Sequence, residues 1–532
     1  MTIAEYIADQ LFDCGVKYVF GIPGGPSIPY LEAFKSAGIE FILTSNENSA
    51  GVMADVSARL TGIPGVCHAT FGPGATNILT GTGGALLDRS PVIVLTSEMP
   101  DNLLHRTVQM NINHQKLFEP VTKRTFRISK ENVFDILPEA IKICHEEYPG
   151  PVHIGLPSDV ADIEIGQGIG EINEQKSQNY INNDTGKIIS LLEKSRRPLM
   201  AIGLTAARFD LRKKISDFLD TNRIPVVLTP MAKGLLSEDH PCYAGVLFHA
   251  LSDYLEDIYI KTDLIIGLGY DQVEYNYESW MPDVPLIHFD TKSTGLLPGK
   301  EVVQFTGEPS EWFQILTNMN SGSLIFESGI LKGIRDEMNS VFNGFLSHFG
   351  PVSTLKALLE ELPHDSIITA DVGSHLHLIG QYWKTPSPDK LIMTNGWSSM
   401  GFGIPAAIAA RLNRPGSTVV CITGDGGFLM TAGEILTARR YNLPIIIVVV
   451  SDGELNLIKL KQSWKDLSPY ATILYSGDLF GSDKFLGVRV LNADSEEKMR
   501  RAINTALSLD EPVIINAIID PEDYKWLIVK QK

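Results

Sequence analysis

Cysteine is scarce in this 532-residue chain: Cys14, Cys67, Cys144, Cys242 and Cys421 are far apart, odd in number and without CxxC spacing. That excludes a disulfide framework and a cysteine zinc site, and it fits a reducing compartment. Basic residues are in deficit, 45 Lys and Arg against 63 Asp and Glu, for a formal net charge of -18. Such a charge repels phosphate polymers and anionic membrane surfaces, so neither nucleic acid nor membrane is an expected partner. No apolar run approaches the roughly 20 residues that span a bilayer, and the most apolar one, residues 445–450, reads as a buried strand. The opening MTIAEYIADQLF lacks the basic, apolar, small-residue order of a signal peptide, so a cytoplasmic location is expected. Also missing is a GxGxxG turn after a first strand with an acidic residue about 20 positions on, which leaves an NAD-dependent dehydrogenase unsupported.

What is present is ordinary soluble composition, 44% hydrophobic and 20% charged, at a length that calls for about three domains. Helical patterns alternate with β-branched runs at residues 17–20, 66–70 and 92–96, then at 198–202, 224–228, 264–268 and 285–289, and again at 366–369, 391–394, 419–423 and 445–450. This alternation predicts an α/β protein of three tandem, doubly wound parallel-sheet domains over 1–165, 185–325 and 345–532. The polar, Gly/Asn-rich stretch 166–184 reads as a linker.

The densest chemistry lies at residues 417–428, STVVCITGDGGF, an apolar strand ending in Gly424, Asp425, Gly426 and Gly427 before a helix-like run over 429–441. Glycines at a strand-to-helix turn let backbone N–H groups approach an anion. Asp425 offers the hard oxygen that Mg²⁺ prefers. The next strand ends in Ser451, Asp452, Gly453 and Glu454, which places a second carboxylate 27 residues after the first, at an adjacent strand tip. A GDGG turn alone is also compatible with a tight connection.

GDG followed after about 27 residues by Asn or Asp behind an apolar strand resembles the binding motif of the thiamine diphosphate enzymes. The resemblance implies that Asp425, Asp452 and the main chain of Glu454 bind Mg²⁺, with Leu455 beside the cofactor. Most members carry Asn where this chain has Asp452; catabolic acetolactate synthases look similar at this point. TADVGSHLHL (369–378) and TNGWSSMGFGIPAAIAA (394–410) are similar to two flanking segments. They imply phosphate contacts from Gly373, Ser374 and His375, a pyrimidine-facing backbone at Ser398, and Met400 as the apolar wedge between the cofactor rings. TSNENSAGVMADVSAR (44–59) and GVCHATFGPGATN (65–77) resemble the pyrimidine-binding domain and match its single glutamate to Glu47. A carboxylate beside the pyrimidine N1′ promotes proton loss from the thiazolium carbon. In this family the glutamate domain of one subunit faces the GDG domain of another, so a homodimer or homotetramer with interfacial sites is implied.

The likeness runs over nearly the whole chain and is nearest to acetolactate synthases without flavin, so FAD is not expected. GIPGGPSIPYLEAF (21–34) lines up with their first active-site loop, although Pro26 stands where catabolic synthases tend to have Lys. HRTVQMNINHQKLFEPVTK (105–123) lines up with a segment carrying a substrate-facing Gln, matched by Gln109, with His114 or Gln115 as alternatives and His114 as a possible proton shuttle. Leu455, Leu457, Ile458 and Leu460 suit either an apolar acceptor pocket or helix core positions. The implied reaction is decarboxylation of a 2-oxo acid, pyruvate or larger, with ligation to a second carbonyl compound. The alternatives are decarboxylation or acyloin cleavage without ligation, and an inactive cofactor-binding subunit, against which the joint presence of Glu47, Asp425 and Asp452 argues.

Overall fold

The computed structural model describes residues 1–166, 184–274, 280–293, 295, 301–325 and 328–526. Residues 167–183, the body of the expected linker, lie outside these. Three sheets carry the chain, each flanked by helices and each built from β-branched and aliphatic residues that are buried on both faces, as parallel strands require.

The first sheet has six parallel strands, ordered across it Glu40–Leu43, Tyr18–Ile22, Gly65–Ala69, Val92–Glu98, Val152–Pro157 and Arg124–Arg127. The central sheet, also parallel, runs Val302–Thr306, Leu286–Asp290, Leu264–Leu268, Pro198–Ile202, Val226–Leu228 and Tyr243–Val246. The third runs Leu391–Ile392, Ile367–Ala370, Val419–Gly424, Ile446–Ser451, Val513–Ile518, Val488–Ala493 and Lys484–Phe485, with only the last pair antiparallel. In the first and third sheets the chain's first strand sits between its second and third. That reversal opens a crevice at the strands' carboxyl ends, where ligands of doubly wound folds bind. In the third sheet the crevice lies between the tips of Ile367–Ala370 and Val419–Gly424.

Alternation predicted many interior strands but missed Val152–Pro157, Val488–Ala493 and Val513–Ile518 inside the sheets as well as several at the edges. Glu40–Leu43, Arg124–Arg127 and Val302–Thr306 are only half buried, so no continuous apolar run marks them. Val152–Pro157 is fully buried but carries His, Gly and Pro. A second correction concerns residues 429–441: helix begins already at Asp425 and breaks into Asp425–Thr431 and Glu434–Arg440. The break falls where Gly433 packs against Ser45, whose Cβ would lie 3.2 Å from a side chain there.

The units are joined by buried polar contacts. Helix Glu47–Thr61 packs on helix Gly403–Asn413, and Arg59 at its end pairs with Asp55 and Asp88, both at 2.6 Å, while donating to the Met393 carbonyl. Removing one partner of such a buried network costs about 3–5 kcal/mol. Arg89 grips Asp271 of the central unit with two bonds, of 2.7 and 3.2 Å. Glu274, 3% exposed, accepts from the Met231 amide, and its own carbonyl accepts from Asn395 of the third unit. All five cysteines are free thiols, and among the described residues no helix is long and apolar enough to cross a membrane.

Burial pushes the Glu274 carboxyl up to about 8. A carboxyl raised in the folded state contributes stability that is complete below its unfolded value and is lost as pH rises through the folded one. Glu274→Gln, which stays neutral, is therefore expected to flatten the fall in melting temperature between about pH 5 and pH 9; calorimetric scans of both proteins check this, and parallel pH profiles would contradict it.

Candidate active site

Val419–Gly424 and Ile446–Ser451 pair in parallel, with Gly424 opposite Val450, so Asp425 and Asp452 leave the sheet side by side. Asp425, 3% exposed, accepts from the Gly426 amide at 2.8 Å through one oxygen. Its other oxygen takes the amides of Asp452 and Gly453, at 3.2 and 2.7 Å, and the Tyr475 hydroxyl at 3.1 Å. Asp452 accepts from the Glu454 amide at 3.0 Å and from Asn456 Nδ2 at 2.8 Å. Burial, then the neighbouring Asp425 charge, pushes the Asp452 carboxyl up to about 7. Two carboxyls held this close, with amides fixing their orientation, are a hard-oxygen donor set that a divalent cation would relieve. Residues 453–455 are strapped by a returning segment: Leu455 N donates to Thr472 O at 2.7 Å and Leu474 N to Gly453 O at 2.9 Å. A cavity of about 320 Å³ opens beside them, lined by Asp452, Glu454, Ile473, Tyr475, Asp478 and Asn516 among others.

On the other side of the crevice, helix Ser374–Tyr382 follows Gly373. Ser374 Oγ and His375 Nε2 are both buried without a hydrogen-bond partner. Leaving such groups unpaired is costly, so two orphaned polar atoms at one strand tip fit a polar ligand. Burial, with His377 adding to it, pushes the His375 imidazole down to about 4 and keeps it neutral. A side chain at Gly424 would come within 3.3 Å of that ring, and one at Gly373 within 2.8 Å. This bare, glycine-lined space is what a diphosphate needs to approach the backbone.

Asp371, which sequence reasoning did not single out, organises this region. It is fully buried and accepts from Val372 N, Gly401 N, Gly403 N and Thr423 Oγ1 at 2.6, 2.9, 3.2 and 3.1 Å. A Cβ at Gly427 would meet its carboxylate at 2.7 Å, so that glycine makes room for Asp371. Asp371 thereby ties the loop carrying Ser398 and Met400 to the GDGG segment. Ser398 is exposed with φ 53°, and its hydroxyl donates to Asn395 O. Met400, Leu455 and Leu474 converge over Gly426, where a Cβ would lie 2.9 Å from Met400 Cε. Of the helix beyond, Asn456–Ser463, Leu460 is core while Ile458 is 44% exposed.

The N-terminal unit holds the other expected residues. Glu47 opens helix Glu47–Thr61, is 8% exposed, and accepts from Asn77 Nδ2 at 3.1 Å. Its other oxygen lies 3.3 Å from where a side chain at Gly74 would begin. His114 is not a free proton carrier. It is 3% exposed, its Nε2 accepts from the Gly72 amide at 3.3 Å and its Nδ1 meets Thr96 Oγ1 at 2.9 Å. With Nε2 accepting, Nδ1 holds the proton and donates to Thr96, whose hydroxyl donates on to His153 Nε2 at 2.7 Å. Burial pushes His114 down to about 4, so it stays neutral and holds the Gly72 turn that leads to Gly74 and Glu47. Gln115 is spent on Glu98 and the Phe126 carbonyl, and Gln109 lies exposed on a turn. Sequence reasoning also missed Asn77, Asn456 and Tyr475. Asn77 closes the quoted 65–77 segment without standing out in it, Tyr475 lies outside every quoted motif, and the only signal for Asn456 is its place four residues after Asp452.

Comparison with known proteins places this geometry. Residues 1–117 match the N-terminal TPP binding domain of thiamine pyrophosphate enzymes, residues 185–302 their central domain and residues 371–517 their C-terminal TPP binding domain. The chain belongs to the thiamine pyrophosphate enzyme family. It is 29% identical over 560 residues to a probable acetolactate synthase large subunit of Methanococcus aeolicus, covering 98% of this chain and 92% of that one. It is 27% identical to the acetolactate synthase isozyme 2 large subunit of Escherichia coli K12, covering 99% and 97%. It is 26% identical to an acetolactate synthase of Bacillus subtilis 168, covering 98% and 93%.

Asp425→Ala is expected to abolish Mg²⁺-dependent binding of thiamine diphosphate, whereas Asp452→Asn, which keeps an oxygen donor, is expected to stay within about tenfold of the parent affinity. Isothermal calorimetry distinguishes these outcomes, and retained binding by Asp425→Ala would remove it from the metal site.

Proposed function

We propose that the protein binds thiamine diphosphate through Mg²⁺ and decarboxylates a 2-oxo acid, joining the acyl fragment to a second carbonyl compound as an acetolactate synthase does. The observation that carries this reading is the convergence of Asp425 and Asp452 beside the orphaned Ser374 and His375. Asp425, Asp452 and the Glu454 main chain would hold the metal; Gly373, Ser374, His375, Gly424, Gly426 and Gly427 would surround the diphosphate. Bound thiamine diphosphate supplies a nucleophilic carbon and an electron sink for the pair left when CO₂ departs. Glu47, buried and oriented by Asn77, holds a proton at the pyrimidine N1′. Met400 and Leu455, which meet above Gly426, would exclude water from the bound cofactor and supply the apolar wedge between its rings. We read the large relatives' shared name as favouring ligation, with the donor pyruvate or a larger 2-oxo acid and the protein in the cytoplasm.

We also propose at least a homodimer, and a homotetramer is compatible with it. Glu47 is bound within the N-terminal unit, while Asp425 and Met400 are bound within the third. Leu429, Met430, Leu436 and Ile473 stand around the GDGG helix exposed at 44%, 63%, 38% and 75%. An apolar patch of this kind marks a surface that a second copy covers. The central unit is read as scaffold rather than a flavin site: Gly203 abuts Gly269 O and Tyr270 Cα, each 2.6 Å from a Cβ placed there, and Arg89 fills the space at Asp271.

Glu47→Gln is expected to keep cofactor affinity yet slow deuterium exchange at the thiazolium carbon by about a hundredfold or more; an unchanged rate removes Glu47 from the mechanism. Refolding inactive Glu47→Gln together with inactive Asp425→Ala should restore roughly a quarter of the parent activity, because half the dimers then hold one intact site. A mixture that stays inactive would place both residues in one subunit's site. Product identification with pyruvate and several acceptors tests ligation; acetaldehyde as sole product would favour simple decarboxylation.

A further inference from the structure

The stretch of chain that delivers Glu47 is held by the third unit of the same subunit. Residues 41–46 run from strand Glu40–Leu43 into helix Glu47–Thr61; besides pairing with strand Tyr18–Ile22 and the bond from Thr44 N to Gly21 O, they are tied to residues 433–441. Tyr441 OH donates to Phe41 O at 3.2 Å and accepts from Leu43 N at 2.8 Å, while Arg440 Nη1 donates to Leu43 O at 2.7 Å. Ser45 Oγ donates to Gly433 O at 2.8 Å, an approach allowed because Gly433 has no side chain.

The contact nearest Glu47 is made by Glu434. This carboxylate, 1% exposed, accepts the amides of both Ser45 and Asn46 through one oxygen, each at 3.0 Å. Its other oxygen is fixed by Thr437 Oγ1 at 2.7 Å. Ser45 and Asn46 are themselves exposed, and Glu434 is the acceptor for both their amides; their other anchors are Ser45 Oγ, the Asn46 side chain, which caps the helix through Asn48 N, and the Asn46 carbonyl, which accepts from Ala50 N. A buried carboxylate aimed at two backbone N–H groups forms charge-assisted bonds and fixes the backbone from which the next side chain projects.

We infer that Glu434 is a positioning residue for Glu47, setting the height and angle at which that carboxylate is presented to the cofactor. Gly433 and Glu434 lie just beyond helix Asp425–Thr431, so the same short segment begins at the metal-binding aspartate and ends on the turn before the catalytic glutamate. In the interfacial arrangement those two residues serve different active sites, and Glu434 is then the covalent chain's direct connection between them. This inference rests on the proposed role of Glu47.

The test uses the holoenzyme with thiamine diphosphate and Mg²⁺, reading deuterium exchange at the thiazolium carbon by NMR after acid quench, alongside cofactor affinity by calorimetry. Glu434→Ala is expected to slow exchange by about tenfold or more while cofactor Kd stays within about threefold; Glu434→Gln, whose amide oxygen still accepts both N–H groups, should recover most of the rate. Glu434→Asp keeps the charge but withdraws the oxygen by one methylene, and it carries the test if the alanine variant fails to fold, with the same slowing expected. Arg440→Ala cuts another tie in this interface without touching Ser45 or Asn46 and should exchange at the parent rate. Exchange at the parent rate in Glu434→Ala or Glu434→Asp overturns the inference, as does equal slowing in Arg440→Ala. Glu47→Gln separates the two readings: if it exchanges normally the proposed function fails, whereas slow Glu47→Gln with normal Glu434 variants sinks only the clamp.

Discussion

Two carboxylates that would repel one another are brought together at neighbouring strand tips because the backbone of one turn hydrogen-bonds the side chain of the other. Asp425 is fixed by the amides of Asp452 and Gly453, and Asp452 by its own turn and Asn456. Parallel pairing of Val419–Gly424 with Ile446–Ser451 makes this register unavoidable, since a shift of one residue would turn Asp452 away. Burial, and after it the neighbouring Asp425 charge, pushes the Asp452 carboxyl up to about 7, and a divalent cation would relieve both. The glycines, the orphaned Ser374 and His375, and Met400 above Gly426 are arranged around that point.

Rigidity around the site comes from buried carboxylates that accept backbone amides. Asp371 gathers four donors from three segments, Glu434 takes the two amides before Glu47, and Glu274 holds the central unit against Met231 while Asn395 binds its carbonyl. Such groups are expensive to bury, and each is repaid by donors that would otherwise be unsatisfied. The chain's few ionisable groups near the cofactor positions are therefore mostly supports. That suits chemistry in which the bound cofactor supplies the electron sink and the protein supplies placement and exclusion of water.

The sequence made the carboxylate pair legible because strand hydrophobicity, a glycine turn and a second apolar strand can be counted without coordinates, and Asp425 and Asp452 fall at their ends. Several interior strands were legible for the same reason, although Val152–Pro157 and Val513–Ile518, interior as well, went unread. Edge strands such as Arg124–Arg127 were not, since half-exposed residues leave no run to detect. The supports were invisible: Asp371, Asn77, Glu434 and Tyr475 act through contacts with residues up to 389 positions away, which no local pattern encodes. His114 shows the opposite failure, a chemically suggestive side chain whose ring nitrogens are both engaged once the Gly72 turn and Thr96 fold against it.

Metal-dependent cofactor capture is the property on which the paired carboxylates bear most directly. Calorimetric titration of thiamine diphosphate into protein stripped by chelation and dialysis, with and without Mg²⁺, tests it most directly. One cofactor per chain, bound tightly with Mg²⁺ and at least about a hundredfold more weakly without it, is the expected result. No uptake in the presence of Mg²⁺, or uptake of equal strength in its absence, would contradict the paired-carboxylate site at its root.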